Sequence, residues 1–338
     1  MSLPITETPT IPRPHSEKMY ENNIFYVASC VPDGGIYRCE LTEGGAVTEK
    51  VIAAPSPMWL ERSGYDSFWV LLRAPFSDSA HSGVAEYIHT SGERLGDILS
   101  TQGEVACHLS VAAGKLYAAN YVSGSVWCSN GGLVIHEGRG IDPERQIGPH
   151  VHCVFPSPDK KYILSCDLGM DKIFVYDTSM RLVSTADTPA GSGARHLVFS
   201  KDGKTVYAIS EMGGAIHTCK WDDGILTHIS DYSLLPEGVN RGKGAAIRLS
   251  PDGKLIYATE RATKSIVILR IDGASLAVVD RVSCQGDEPR DLLLAVNGEY
   301  AVCANQFSDS CSVYKVESNG GLTYIGSFNI PAPIAVSL

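Results

Sequence analysis

One phrase recurs along this chain at intervals of about 45 residues, and it constrains the fold more than any bulk property does. Arg195-His-Leu-Val-Phe-Ser-Lys-Asp-Gly-Lys-Thr-Val-Tyr-Ala208 is echoed by Ala245-Ala-Ile-Arg-Leu-Ser-Pro-Asp-Gly-Lys-Leu-Ile-Tyr-Ala258. Weaker copies begin at Cys107, Val151 and Arg290. His108, His152 and His196 fall 44 residues apart, and Asp291 follows His196 by 95, about two periods. Short apolar runs joined by Gly-containing turns at this period are the mark of a propeller blade. Apolar runs of strand length fill the chain and long amphipathic helical stretches do not, so an all-β chain is expected.

The blade count follows from the copies. Six opening strands are expected near Trp59, His108, His152, His196, Ala246 and Asp291. Residues 25–29, 35–40 and 47–53 form three further strands with no opening strand before them. The final stretch Ile330-Pro-Ala-Pro-Ile-Ala-Val-Ser-Leu338 is an opening strand with nothing after it. Joining the two ends completes a seventh blade and hides an edge that would otherwise invite aggregation. The expectation is an all-β, seven-bladed β-propeller over 25–338, closed by pairing the C-terminal strand with the N-terminal strands, and preceded by an extension over 1–24.

The formal net charge of −10 argues against a broad nucleic-acid-binding surface. Residues 1–17 lack the apolar centre of a signal peptide, and no stretch is apolar enough for a membrane helix. The ten cysteines are scattered without a Cys-x-x-Cys pair, which suits reduced thiols in a cytoplasmic protein. No His/Cys cluster has zinc spacing, and the Gly-Gly pairs fall at hairpin turns, so neither a metal nor a nucleotide cofactor is expected. A calcium site from Asp167, Glu211 and Asn120 is conceivable through ring symmetry alone.

Opening strands line the axis of a propeller, so residues of equal phase become neighbours there. One phase collects Cys107/His108, His150/His152, Arg195/His196 and Arg290/Asp291. A second, at the end of the next strand, collects Asn120/Tyr121, Asp167, Glu211, Glu260/Arg261 and Asn305/Gln306. Imidazoles, guanidiniums and carboxylates that converge in this way can supply a proton acceptor for water, donors for an oxyanion and a holder for an anionic substituent. His or Glu suits the first task and the planar Arg fork the others. The bland alternative is that in-phase histidines pin blades together, Glu211 and Glu260 neutralise Arg195 and Arg261, and Asp167, Asp171, Asn120 and Asn305 cap turns.

Several stretches resemble the seven-bladed lactonase family, which contains propeller-type 6-phosphogluconolactonases and the fungal 3-carboxy-cis,cis-muconate lactonizing enzyme. They are Ala106-Cys-His-Leu-Ser-Val111, Ala119-Asn-Tyr-Val-Ser-Gly-Ser-Val126, Gln146-Ile-Gly-Pro-His-Val-His152, Cys166-Asp-Leu-Gly-Met-Asp171, Gly193-Ala-Arg-His-Leu197 with Ser210-Glu211, and Pro289-Arg290 with Ala304-Asn-Gln306. Ala106 and Ala194 replace a proline of the family pattern, Asp291 replaces a histidine, and Glu260 brings a carboxylate beside Arg261. The resemblance implies a catalytic set of His150 (or His152), Arg195, Glu211 and Arg261, with Glu211 or His150 taking the proton. His108, His152, His196 and Arg290 are expected to bind substrate. The leading expectation is a metal-independent lactone hydrolase acting on an anionic sugar lactone such as 6-phosphogluconolactone. Cyclization of 3-carboxy-cis,cis-muconate and a non-catalytic binding propeller are the alternatives.

Overall fold

The computed structural model describes residues 23–294 and 299–338. Most of the expected extension over 1–24 therefore lies outside the described residues. Seven four-stranded antiparallel sheets form the blades. Blade 1 holds β1 (Ile24–Ser29), β2 (Gly35–Thr42) and β3 (Gly45–Ala53), blade 2 holds β4 (Pro57–Arg62), β5 (Ser67–Leu72), β6 (His81–Ile88) and β7 (Arg94–Glu104). Blade 3 holds β8 (Ala106–Ala112), β9 (Lys115–Asn120), β10 (Ser125–Cys128) and β11 (Gly132–Ile135). Blade 4 is β12 (Val151–Pro156), β13 (Tyr162–Asp167), β14 (Lys172–Asp177) and β15 (Leu182–Asp187). Blade 5 is β16 (Ala194–Phe199), β17 (Thr205–Ser210), β18 (Ala215–Asp222) and β19 (Ile225–Ser233). Blade 6 is β20 (Gly244–Leu249), β21 (Leu255–Glu260), β22 (Ser265–Asp272) and β23 (Ser275–Ser283). Blade 7 is β24 (Pro289–Leu294), β25 (Tyr300–Asn305), β26 (Ser310–Val316) and β27 (Leu322–Asn329), after which β28 (Pro333–Ser337) returns to blade 1.

The ring closes as the sequence requires. β28 pairs antiparallel with β1, setting Tyr26 opposite Ser337 and Val27 opposite Val336. The first-strand edge of blade 1 is thereby occupied and no free inner edge remains at the seam.

The recurring phrase is a hairpin turn. In blade 5 the Ser200 hydroxyl donates to Asp202 (2.6 Å) and accepts from the Thr205 amide (2.9 Å). Ser250 and Asp252 repeat this in blade 6, and Ser157 and Asp159 in blade 4. The next residue takes a left-handed backbone, Gly203 at φ 70° and Gly253 at φ 78°, but blade 4 places Lys160 there at φ 60°. Second strands carry the core between blades: Tyr26, Tyr117, Tyr207 and Tyr257 hold the same third position in four of them and are all buried. Tyr257 reaches across to donate to the Gly320 carbonyl of blade 7 at 2.7 Å.

Each first strand carries a bulge where it meets its second strand. The ladder skips from Pro57 to Trp59, Ala106 to His108, Val151 to Cys153, Ala194 to His196 and Pro289 to Asp291. It skips Ile334 on β28 and two residues, Ala245 and Ala246, on β20. A bulge lets two consecutive side chains point to one side of a sheet. Here that side is the axis.

Candidate functional site

The bulges build one end of the channel. A narrow cavity there, of about 10 Å³, has Met58, Trp59, Cys107 and Ile334 along one arc and His152, Arg195, His196 and Arg290 along the other. Arg195 and His196 are consecutive, as are Met58 and Trp59, so both members of each bulge contribute. The 44-residue spacing of the histidines misassigns one of them. The register places His152 in phase with Cys107 and Arg195, while Cys153 is in phase with His108 and His196. The three imidazoles still meet: His196 lies 5.1 Å from His108 and 5.2 Å from His152, ring centre to ring centre. His108 sits under Trp59 (4.2 Å) and does not line the cavity.

Above the bulges, residues one step past the second strands form a charged rim. Glu211 is its centre. One carboxylate oxygen, Oε2, accepts from Arg195 Nε at 3.2 Å and pairs with Arg261 Nη2 at 2.8 Å, while Oε1 accepts from Arg145 Nη2 at 2.6 Å. Arg261 also pairs with Glu288 at 2.6 Å, and Arg290 approaches the same carboxylate at 3.7 Å. Backbone carbonyls fix the two buried guanidiniums: Arg195 donates to Ala245 O (2.7 Å) and Arg261 to Lys243 O (3.0 Å). Four guanidiniums face two carboxylates, so the mouth carries two positive charges in excess although the whole chain is acidic.

The electrostatics follow from that crowding. Burial together with the facing Arg290 and Arg261 presses Arg195 down to about 9, against the pull of Glu211. Burial alone would raise the Glu211 carboxyl, but Arg261 and Arg195 hold it well below the usual carboxylate range. Burial, then Arg195, keeps His152 and His196 well below the ordinary imidazole value, and burial with Arg248 pushes His108 down to about 3. These three rings are neutral at physiological pH. His152 Nδ1 and His196 Nε2 are buried without a partner, an arrangement that calls for a polar group in the channel.

His150 enters the rim from the loop between β11 and β12. Its ring stacks on Tyr121 at 4.6 Å and 12°, and its Nδ1 lies 3.0 Å from the Tyr121 carbonyl. A carbonyl only accepts, so Nδ1 carries the proton and Nε2 keeps its lone pair. The Tyr121 hydroxyl in turn accepts from Arg145 at 3.3 Å, which ties His150 to the Glu211 cluster. Arg195, Glu211 and Arg261 thus meet directly and His150 joins them through Tyr121 and Arg145. His152, His196 and Arg290 line the cavity beneath.

Other expected positions resolve into framework. Glu260 does not crowd Arg261; it turns back to accept from the Lys243 and Thr263 amides and the Thr263 hydroxyl. Asp167 accepts from the His150 amide (2.8 Å) and pairs with His136 (2.6 Å), and Asn120 and Asn305 donate to strand-linking carbonyls. Asp167 and Glu211 are committed to these partners, and among the described residues no group of three acidic, His or Cys side chains has metal-holding geometry. Asp291 is bonded to Arg248 and to the Leu292 and Val336 amides. Arg145 and Glu288 were not singled out from the sequence. Arg145 lies on the loop between β11 and β12, just before the Gln146–His152 stretch, and Glu288 holds the position just before a first strand that is His150, Gly193 and Lys243 in the three preceding blades.

A closed seven-bladed propeller with its polar groups gathered at one axial mouth is the class this fold and site define. A family model described as lactonase, 7-bladed beta-propeller, matches residues 24–338, and the chain belongs to that family. An uncharacterized protein of Staphylococcus saprophyticus is 35% identical over 306 residues, covering 83% of this chain and 88% of the relative. The 6-phosphogluconolactonase of Bacillus subtilis is 27% identical over 343 residues, covering 93% and 97%. A crystal structure of a Lactobacillus plantarum protein superposes with a TM-score of 0.85 at 25% identity, covering 94% of this chain and 99% of that one.

Proposed function

We propose that this protein hydrolyses a small anionic lactone at the channel mouth, with 6-phosphogluconolactone as the first substrate to test. The observation that carries the reading is the excess of guanidinium around Glu211: Arg145, Arg195, Arg261 and Arg290 against Glu211 and Glu288. A cationic, largely desolvated mouth favours a ligand that brings its own negative charge. The Bacillus subtilis relative supports the same substrate class.

His150 Nε2 takes the proton of the attacking water. Glu211 is the weaker choice, because a carboxylate held far below its ordinary range is a poor base. Its role is to hold Arg195 and Arg261 where a developing oxyanion forms, a kind of donor whose loss costs about 10²–10³ in rate. The carbonyl carbon gains the hydroxyl, the ring C–O bond breaks, and the ring oxygen leaves as a hydroxyl by taking back the proton held on His150, giving an open hydroxy acid. Location in the cytoplasm is part of the proposal; ten free thiols, nine of them buried, suit a reducing compartment.

The test is 6-phosphogluconate formation above the spontaneous rate, with Arg195→Ala reducing it at least 100-fold, as expected of an oxyanion donor. No acceleration of any anionic lactone by folded protein sinks the hydrolase reading. Consumption of 3-carboxy-cis,cis-muconate without lactone hydrolysis would replace it by ring closure.

A further inference from the structure

Glu211 holds three guanidiniums, and they are not equivalent. The Arg195 and Arg261 side chains are 3% and 4% exposed, and each is also fixed by a backbone carbonyl. The Arg145 side chain is 42% exposed, and its guanidinium is bonded to Glu211 and to the Tyr121 hydroxyl. Withdrawing Arg195 or Arg261 would strand a buried charge. Withdrawing Arg145 leaves Glu211 with two partners and returns a half-hydrated cation to water.

The base of this side chain is held firmly by the backbone around it, while its tip is half exposed and bonded to side chains. Asp142 Oδ1 accepts from the Glu144 and Arg145 amides at 3.0 and 2.9 Å. Buried Gln146 accepts from the Ile141 and Asp142 amides and donates to the Leu168 carbonyl and to Asp171. The cavity beneath, at about 10 Å³, has room for about one water and none for a lactone ring. Something above it must yield for a ligand to reach His152 and His196, whose buried nitrogens lack partners. The bulged strands and the doubly anchored Arg195 form much of the wall around it.

We propose that Arg145 is a substrate-contacting residue: its guanidinium leaves Glu211 when a ligand enters and pairs with the ligand's phosphate or carboxylate. This rests on the anionic-lactone reading and adds to it that the anion is held by the β11–β12 loop, the element that also carries His150. Binding the anion and setting the proton acceptor are then done by one stretch of chain. The exchange swaps one Arg–carboxylate pair for an Arg–anion pair and leaves the Glu211–Arg195–Arg261 core intact.

The experiment measures binding of inorganic phosphate by titration calorimetry at fixed ionic strength, using full-length wild type, Arg145→Ala, Arg145→Lys and the exposed-surface control Arg181→Ala. We expect Arg145→Ala to weaken phosphate at least ten-fold, Arg145→Lys to recover part of the loss and Arg181→Ala to match wild type. In kinetics, the preference for phosphorylated over uncharged lactone, read as a ratio of KM values, falls about ten-fold in Arg145→Ala. Equal phosphate affinity in wild type and Arg145→Ala overturns the proposal, as does a wild type that binds no phosphate. Phosphate binding lost with Arg145 in a protein that opens no lactone supports Arg145 and sinks the hydrolase reading instead.

Discussion

The Asp291 carboxylate accepts a hydrogen bond from the backbone amide of Val336 at 2.9 Å, joining the first strand of the last full blade to the strand that closes the ring. Its other oxygen accepts from Arg248 of blade 6 and from its own neighbour's amide. The carboxylate that replaces a family histidine therefore laces three blades together at the seam.

Asp291→Ala should cost about 2–4 kcal/mol, because it leaves a buried amide unpaired and Arg248 without its carboxylate. Asp291→Asn keeps an acceptor for Val336 and should cost less. Urea midpoints with parallel activity assays check this. A large loss of kcat at unchanged midpoint would move Asp291 into the chemistry.

His150→Gln should lower kcat by about 10²–10⁴. Burial and Arg195 keep His152 and His196 neutral, and Arg261 and Arg195 keep Glu211 ionised, so none of these titrates across the neutral range. Single-turnover rates on folded protein check the His150→Gln loss, and an unchanged rate in that variant removes His150 as the proton acceptor.

Glu61 lies further down the channel, where burial lifts its carboxyl to about 7 despite the Trp59 N–H at 3.3 Å and the field of Arg248. The folded state thus holds a proton that the unfolded chain releases near its ordinary value of 4.5. The stabilisation is complete below 4.5, declines as pH rises through about 7, and is absent above it. Glu61→Gln, which mimics the protonated form, should gain about 1–3 kcal/mol relative to wild type between pH 5 and pH 8. Denaturation midpoints at both pH values measure the gain, and a constant difference refutes it.

Lys160 occupies the left-handed turn position that Gly203 and Gly253 fill in the next two blades. Lys160→Gly should stabilise by about 0.5–1 kcal/mol, the relief of side-chain strain outweighing the added freedom of the unfolded chain. Thermal melts decide it; a loss of similar size would mean that the Lys160 side chain contributes contacts worth more than the strain.

The same turns explain what the sequence disclosed. Ser200, Asp202 and Gly203 form a local motif whose bonding is complete within six residues, so its recurrence revealed the period and the blade count directly. The terminal strands could be joined because each lacked what the other supplied. Phase within the inner strand was harder. A bulge adds a residue without changing the apolar pattern, so counting from histidine to histidine slipped by one at His152; matching Leu109, Val154 and Leu197 instead aligns Cys107, His152 and Arg195. Glu260 was suspected of disturbing Arg261, but the turn it caps is visible only once the Thr263 and Lys243 amides are in place. Arg145 stands outside the repeat, where periodicity carries no information, while Glu288 shares the phase of His150, Gly193 and Lys243, positions too unlike in residue type to mark it.

The skipped residues of the inner strands belong to no rung of the ladder, so each can be exchanged with little effect on how its blade hydrogen-bonds. Met58, Cys107, His152, Arg195, Arg290 and Ile334 are in effect interchangeable slots around a fixed hub. A scaffold of this kind can be retuned for new chemistry one slot at a time, its architecture insulated from the experiment.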